Sequence, residues 1–301
     1  MLKRILKGLG AVIVILLIAV AGFVGLQVRA YNSSMATVYG VPAPKIERSS
    51  DTAVLERGKH LAESLGGCAT ADCHGADLGG GKPLKMGPLG TLTSPNVTAG
   101  GRAAAYSDGE LARLILHGIK KDGHSVTFMP SQDFSWWPDD DVRAVISYVR
   151  TLPPVTRPDG VLELGLLAKV LDRRDLIQID VARRIDHDKR PTAPKPEPTA
   201  VYGAFIGRMC FGCHGSHLSG GPIPGAPPSM AVPKNITAHE TGLKDWTFAD
   251  FDRALMQGVR KDGSKIDPMM PIEALGKMNG VEKQALWAYL RSVPPAPFGG
   301  R

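Results

Sequence analysis

Apolar and polar positions divide the chain into one long apolar run followed by two series of short amphipathic segments. Residues 9–26 are an uncharged stretch, preceded by Lys3, Arg4 and Lys7 and followed by Arg29. Its length and basic flank predict a membrane-spanning helix. A cleavable export signal is the competing reading, but such a signal has an apolar core of about 7–15 residues. Val28-Arg29-Ala30 is also a poor small-x-small cleavage site. In either case the basic residues stay on the cytoplasmic side and the remainder is exported. Residues 1–29 are therefore assigned as anchor or signal. Residues 30–50, with Pro42 and Pro44, are assigned as a tether.

In the first series a helix is predicted after Asp51, running to about Leu65. Ser107 and Glu110 resemble a capping box, and Leu111, Leu114, Ile115 and Gly118 follow at helical spacing. A last helix starts after Pro138 with Asp139, Asp140 and Asp141 in its first turn, where the helix dipole favours acids. It turns Val142, Val145, Ile146 and Val149 inward and stops before Pro153. The second series predicts helices over 200–209, from Thr247 with Asp250 as its capping partner, and over 281–293.

The two series are copies of one another. Cys73-His74 recurs as Cys213-His214, Asn96-Val97-Thr98 as Asn235-Ile236-Thr237, and Lys121-Asp122-Gly123 as Lys261-Asp262-Gly263. Met129-Pro130 recurs as Met270-Pro271, and Leu152-Pro153-Pro154 as Val293-Pro294-Pro295. Offsets of 139–141 residues in unchanged order define a duplicated globular module, at 51–154 and 199–301. Between them, 155–198 is a bridge. Leu162, Leu164, Leu166, Leu167, Val170, Leu171, Leu176 and Ile177 make it too apolar for disorder, and it is expected to pack across the two domains. Prolines at 191, 194, 196 and 198 predict a stiff connector at its end. The fold class is mostly α, with short helices between long ordered loops.

Composition refines this only a little. The chain has 35 Gly and 24 Pro, which suits loop-rich domains. Its formal charge of +7 has no dense Lys/Arg cluster behind it, and aromatics are only 6%, so nucleic acid is not an expected partner.

The chemistry lies in the cysteines. Cys210-Phe211-Gly212-Cys213-His214 is C-x-x-C-H, the pattern of covalent haem attachment. Two thiols can form thioethers to the porphyrin vinyls while the following histidine meets the iron. A redox dithiol does not need that histidine, and a zinc site needs further close ligands. Cys68 and Cys73-His74 repeat the motif as C-x4-C-H. A Cys68–Cys73 disulfide is the open alternative at that widened site. A buried haem would also fill domains whose loops look underfilled.

The quoted motifs, together with the closing Tyr148-to-Pro154 and Tyr289-to-Pro295 patterns, resemble class I c-type cytochromes, here as a membrane-anchored dihaem protein. The wording is especially similar to cytochrome subunits of membrane-bound alcohol and gluconate dehydrogenases, which carry three such domains where this chain shows two. The resemblance implies two covalent haem c groups, held by Cys68 and Cys73 and by Cys210 and Cys213. It makes His74 and His214 proximal ligands and Met129 and Met270 distal ones. Both Met residues stand at the same separation from their histidines, 55 and 56 residues, and a soft thioether suits haem iron. Met269 is the rival to Met270; Met86 and Met230 are read as packing.

His60, His117, His124, His187, His217 and His239 have no matching histidine in the other copy and are read as surface or core residues. Of these, His124 is the alternative distal ligand for the first site. Trp136 and Trp137 are read as core. Tyr148 and Tyr289 are expected to pack the last helix on the first near Gly58 and Gly203. The expected function is electron transfer at the periplasmic face of a bacterial inner membrane, without catalysis of its own. Expected partners are a quinol-oxidising complex, a dehydrogenase or a terminal oxidase. Rival readings are the cytochrome subunit of a dehydrogenase complex, a dihaem peroxidase, which the paired Met residues argue against, and a haem-based sensor.

Overall fold

In the computed structural model the described residues are 2–158, 160–190, 192–224, 226 and 230–301. The apolar run becomes one straight element, α1 (Leu2–Met35). Most of its large apolar side chains between positions 5 and 26 are exposed, so nothing else in the chain covers them. The stretch Lys3–Met35 is long and apolar enough to cross a membrane.

The first copy then runs through α2 (Thr52–Glu63), a two-residue β1 (Leu84–Lys85), β2 (Gly90–Leu92), α3 (Asp108–His117), α4 (Ser131–Phe134) and α5 (Asp139–Thr151). The bridge supplies β3 (Leu162–Leu164) and α6 (Leu166–Arg173). The second copy contains α7 (Ala200–Ile206), α8 (Phe211–His214), α9 (Phe248–Gln257), α10 (Ile272–Leu275) and α11 (Gly280–Ser292).

The helix boundaries follow from capping chemistry. Asp51 accepts hydrogen bonds from the Ala53 and Val54 amides at the start of α2. Ser107 with Glu110, and Thr247 with Asp250, form the two expected capping boxes. Both middle helices end on a left-handed glycine, Gly118 and Gly258. A third box, Asn279 with Glu282, opens α11. The expected helix over 200–209 is shorter: α7 stops at Ile206 and tightens into a 3-10 turn, Gly207–Cys210, that leads into the cysteine motif.

Within each copy the first helix lies against the last, α2 on α5 and α7 on α11. The backbones meet at the expected glycines. A Cβ on Gly58 would stand 2.0 Å from the Ala144 carbonyl oxygen, and one on Gly203 would stand 1.9 Å from that of Ala285. Tyr148 and Tyr289 close the same crossings. Val142, Val145 and Ile146 are buried as expected, with Trp136 and Trp137 beside them. A single apolar core runs through both copies, from Leu61 and Trp137 to Tyr202, Ile206 and Leu286.

Two linking segments differ from expectation. Residues 36–50 are not a free tether. Tyr39 donates its amide to Gly123, Arg113 donates to the Val41 carbonyl, and Ser49 donates its amide to Ser147, so this strand of chain is strapped along the first copy. The bridge packs back on the first copy and on α1 rather than across both copies. β3 joins β2 antiparallel with Thr91 opposite Glu163, and β2 in turn pairs with β1. Such short strands carry no readable alternation, which is why the sequence pattern misses them. Ala168 and Ile179 bury against Tyr31 of α1, and Ser34 of α1 donates to the buried Asp180 carboxylate. Of the proline connector, Pro191 lies outside the described residues.

The glycine contacts make a specific prediction. Gly203→Ala should destabilise the protein by about 1–3 kcal/mol, because the helices must part to admit a methyl group. Gly280→Ala, at an open position in the first turn of α11, should be neutral or slightly stabilising. Denaturant melts of the two variants check this, and equal costs would contradict it.

Candidate functional site

Each cysteine motif sits immediately after the first helix of its copy. In the second copy the turn Gly207–Cys210 continues into the single turn α8, which presents Cys210, Cys213 and His214 on consecutive turns. In the first copy the motif is two residues longer and forms hydrogen-bonded turns instead. The His74 amide donates to the Cys68 carbonyl at 2.9 Å, closing the extra residues into a loop that still ends on the histidine.

The two histidines are held alike. His74 Nδ1 donates to the Pro95 carbonyl at 2.8 Å, and His214 Nδ1 donates to the Lys234 carbonyl at 2.7 Å. This fixes each ring's orientation and leaves Nε2 as the lone-pair nitrogen, as metal-binding histidines require. Burial lowers both imidazoles' affinity for a proton, opposed in part by these carbonyls, and so favours the neutral, ligating form.

The accepting carbonyls are themselves placed by the matched Asn-x-Thr runs. Asn96 Oδ1 accepts from the Thr98 amide at 2.9 Å and from its hydroxyl at 2.7 Å, while Nδ2 donates to Val155 O at 2.7 Å. Asn235 repeats the set with Thr237 and Ala296 O, at 2.9, 2.8 and 2.7 Å. Each asparagine thus ties the loop behind the histidine to the segment that follows the last helix. Leu78 and Leu218, both buried with positive φ, make equivalent turns after each motif. Their carbonyls accept from Val97 and Ile236.

Met129 and Met270 occupy equivalent backbone positions. Each precedes a proline with ψ near 60° that caps a four-residue helix, α4 or α10. Both are partly buried against the core, whereas Met269 is 49% exposed, which favours Met270 over its neighbour.

The residues fit a covalently attached haem better than the alternatives. All four cysteines stand as free thiols in this structure. Burial pushes the Cys68 and Cys210 thiols up to about 12, the reverse of the lowered value a redox dithiol needs. Among the described residues no group of three His, Cys, Asp or Glu side chains is arranged for a metal ion.

The unmatched histidines have other work. His60 meets both oxygens of Glu282 at 2.8 and 2.9 Å, across the join between copies. His117 and His187 place their Nδ1 atoms 3.2 Å apart, and burial pushes His117 down to about 4. His124 lies beside Asp122 in a turn, with its Nδ1 3.4 Å from the carboxylate. The sequence reading did not anticipate the Pro95 and Lys234 carbonyls. Their signal was available, since each residue immediately precedes the Asn of a repeated Asn-x-Thr.

Asn235→Ala should therefore strand the Thr237 amide and leave the Ala296 carbonyl only its 3.4 Å contact with the Thr237 hydroxyl. The expected cost is about 1–3 kcal/mol for each polar group left buried without a partner. Asn96→Ala should behave the same way in the first copy, as read by denaturant unfolding; a surface-like cost under about 0.5 kcal/mol at both positions would contradict the pinning role.

Comparison with known proteins accords with this geometry. Residues 55–153 match the family model described as Cytochrome c. The chain is 38% identical over 101 residues to the cytochrome c subunit of a quinone alcohol dehydrogenase from Gluconacetobacter polyoxogenes, covering 31% of this chain and 22% of that protein. It is 31% identical over 113 residues to the fructose dehydrogenase cytochrome subunit of Gluconobacter japonicus, covering 34% and 23%. It is 34% identical over 103 residues to the gluconate 2-dehydrogenase cytochrome c subunit of Pantoea cypripedii, covering 31% and 23%. The matched stretch thus spans under a quarter of each of these relatives. Residues 55–153 are a cytochrome c domain, the kind of domain that binds haem c covalently.

Proposed function

We propose that the chain is a membrane-anchored dihaem c-type cytochrome that carries electrons between redox partners at the periplasmic face of a bacterial inner membrane. The observation that supports a second haem domain at 199–301 is the repeated histidine setting. His214 has the same carbonyl partner, the same Asn-x-Thr pin and the same following Met-Pro step as His74 in the cytochrome c domain. In this reading Cys68 and Cys73 attach one haem, and Cys210 and Cys213 attach the other. His74 and His214 would hold the iron through Nε2, and Met129 and Met270 would hold it through thioether sulfur.

Bound haem c supplies a one-electron iron couple, and His/Met ligation raises its potential. The chain's own part is to orient the two imidazoles, exclude water with a core shared by both copies and hold the sites at a fixed separation. Iron held by both a histidine and a methionine would have no ligand position free for substrate, so the chain is read as a carrier and not as an enzyme. α1 would hold it at the membrane, with Lys3, Arg4 and Lys7 on the cytoplasmic side.

A narrower reading makes the chain the electron-accepting subunit of a membrane-bound dehydrogenase, as the names of the alcohol, fructose and gluconate dehydrogenase relatives suggest. Purification from native membranes separates the two: a large catalytic subunit co-purifies stoichiometrically only in the second.

Haem stoichiometry tests the shared core of both readings. Intact mass and a pyridine haemochrome spectrum should give two covalent haems per chain. Cys210→Ala/Cys213→Ala should retain one; an unchanged haem content in that variant would overturn the second site. Met129→Ala and Met270→Ala should each remove about half of the weak sulfur-to-iron absorption in the near infrared while leaving the haem content intact.

A further inference from the structure

Asp133, in the turn after Met129, is an ionisable group that the duplication leaves unmatched. It lies in α4, and its equivalent in α10 is the buried Ala274. It serves the other copy's site more than its own. Asp133 lines a cavity at the join of the two copies with Arg57, Asp141, Tyr202, Phe205 and Met209, the last adjoining Cys210. Three residues on, Trp136 packs edge-on against Phe205 with ring centres 4.4 Å apart, and the Arg208 guanidinium lies over Trp136 at 5.7 Å. These contacts seat α4 against the turn Gly207–Cys210 that enters the second cysteine motif.

The field of the carboxylate reaches that motif. Asp133 contributes to pushing up the thiols of both Cys210 and Cys213, in each case behind burial. We propose that Asp133, contributed by the first copy, sets the potential of a haem attached at Cys210 and Cys213 and releases its proton when that haem is oxidised. This rests on the two-haem reading above. Oxidation of the iron from Fe(II) to Fe(III) sends one electron to a one-electron acceptor, and the Asp133 carboxyl gives its proton to solvent.

The surroundings suit such coupling. Burial pushes the Asp133 carboxyl up to about 6, against the opposing charge of Arg208. The other charges facing the cavity are spoken for: Arg57 of α2 is paired with Asp141 of α5 and Glu282 of α11. Arg301, from the chain's end, donates to the Cys213 carbonyl. Tyr202 of α7 presents a phenol that burial keeps neutral. A raised carboxyl pKa stabilises the fold at low pH, and that contribution is lost as pH rises through about 6. The fold thus tolerates a charge at neutral pH that an alanine, as in the other copy, would avoid. A carboxylate beside the haem favours the ferric form, so the potential should fall as pH rises through this range.

Spectroelectrochemical titration of the full-length, haem-loaded protein between pH 5 and 8 tests this. The wild type should show one component whose reduction equilibrium weakens about tenfold across the range, or about 59 mV for one electron. That component should be absent from Cys210→Ala/Cys213→Ala. Asp133→Asn should hold it at its low-pH value, Asp133→Glu should restore the dependence, and Arg208→Gln should move its midpoint to higher pH. Two haems with an unchanged pH dependence in Asp133→Asn, or with an unmoved midpoint in Arg208→Gln should the former not fold, would overturn the proposal alone. A single haem per chain would overturn the two-haem reading beneath it.

Discussion

An imidazole that serves a metal through one nitrogen is oriented by what holds the other, and here Nδ1 of His74 and of His214 is held by a backbone carbonyl on a loop. A loop carbonyl is a poor anchor unless something else fixes it. Asn96 and Asn235 do so by closing a small ring of hydrogen bonds with Thr98 and Thr237 and reaching across to Val155 and Ala296. Those residues lie just beyond α5 and α11, whose positions are set by backbone contact with α2 and α7 at Gly58 and Gly203. Histidine orientation is thus traceable through asparagine to the crossing of the two terminal helices. A methyl group at that crossing and a lost amide in the loop perturb one and the same chain of contacts.

Much of this was legible because its signals are local. Capping boxes, the acidic first turn of α5, the glycine crossings and the Cys-His pairs depend on residues within a few positions of each other, or on a repeat that aligns them. What escaped was long-range. Nothing near Tyr39, Val41 or Ser49 announces that they bond to Gly123, Arg113 and Ser147, so a proline-bearing strap reads as a tether. The bridge shows the converse. Of its apolar residues, Leu162, Leu166, Leu167 and Leu176 stay exposed and Leu164 and Ile177 are only partly buried; the residues that bury, Ala168 and Ile179, do so on α1 rather than on the second copy. The two-carboxylate contact of Arg57 was also invisible, since it needs α2, α5 and α11 to meet.

The strap and the bridge change what anchoring means. A flexible tether would let the cytochrome domain sample a wide shell above the membrane. Instead, the end of α1 is fixed by burial of Tyr31 among Ala168 and Ile179, by Ser34 on Asp180, and by residues 36–50 running along the first copy. Asp172 and Asp180 are wholly buried there, with Arg183 and Arg184 as their counter-charges. Removing Arg183 would leave the buried Asp180 carboxylate without its counter-charge, a penalty of about 3–5 kcal/mol, whereas Asp172 would keep Arg184. The orientation of the first copy relative to the helix axis is therefore a property of the fold.

Duplication sets two like cysteine-histidine motifs in one molecule, and the join between the copies is where their surroundings become unequal. Asp141 and Glu282 are equivalent residues of α5 and α11, yet Arg57 binds both, at 2.9 and 3.4 Å, because its own counterpart is Tyr202. Glu282 is almost wholly buried and also takes His60, whose counterpart is Phe205. An ion pair placed on a pseudo-symmetric contact can face only one way, so it fixes how the copies dock as well as that they dock. The cost is a set of desolvated charges that only their mutual geometry offsets. The consequence is that histidine, asparagine and methionine repeat at both sites while the charges around them do not. If both motifs carry haem, as proposed, that difference in surrounding charge would set the two groups at different potentials.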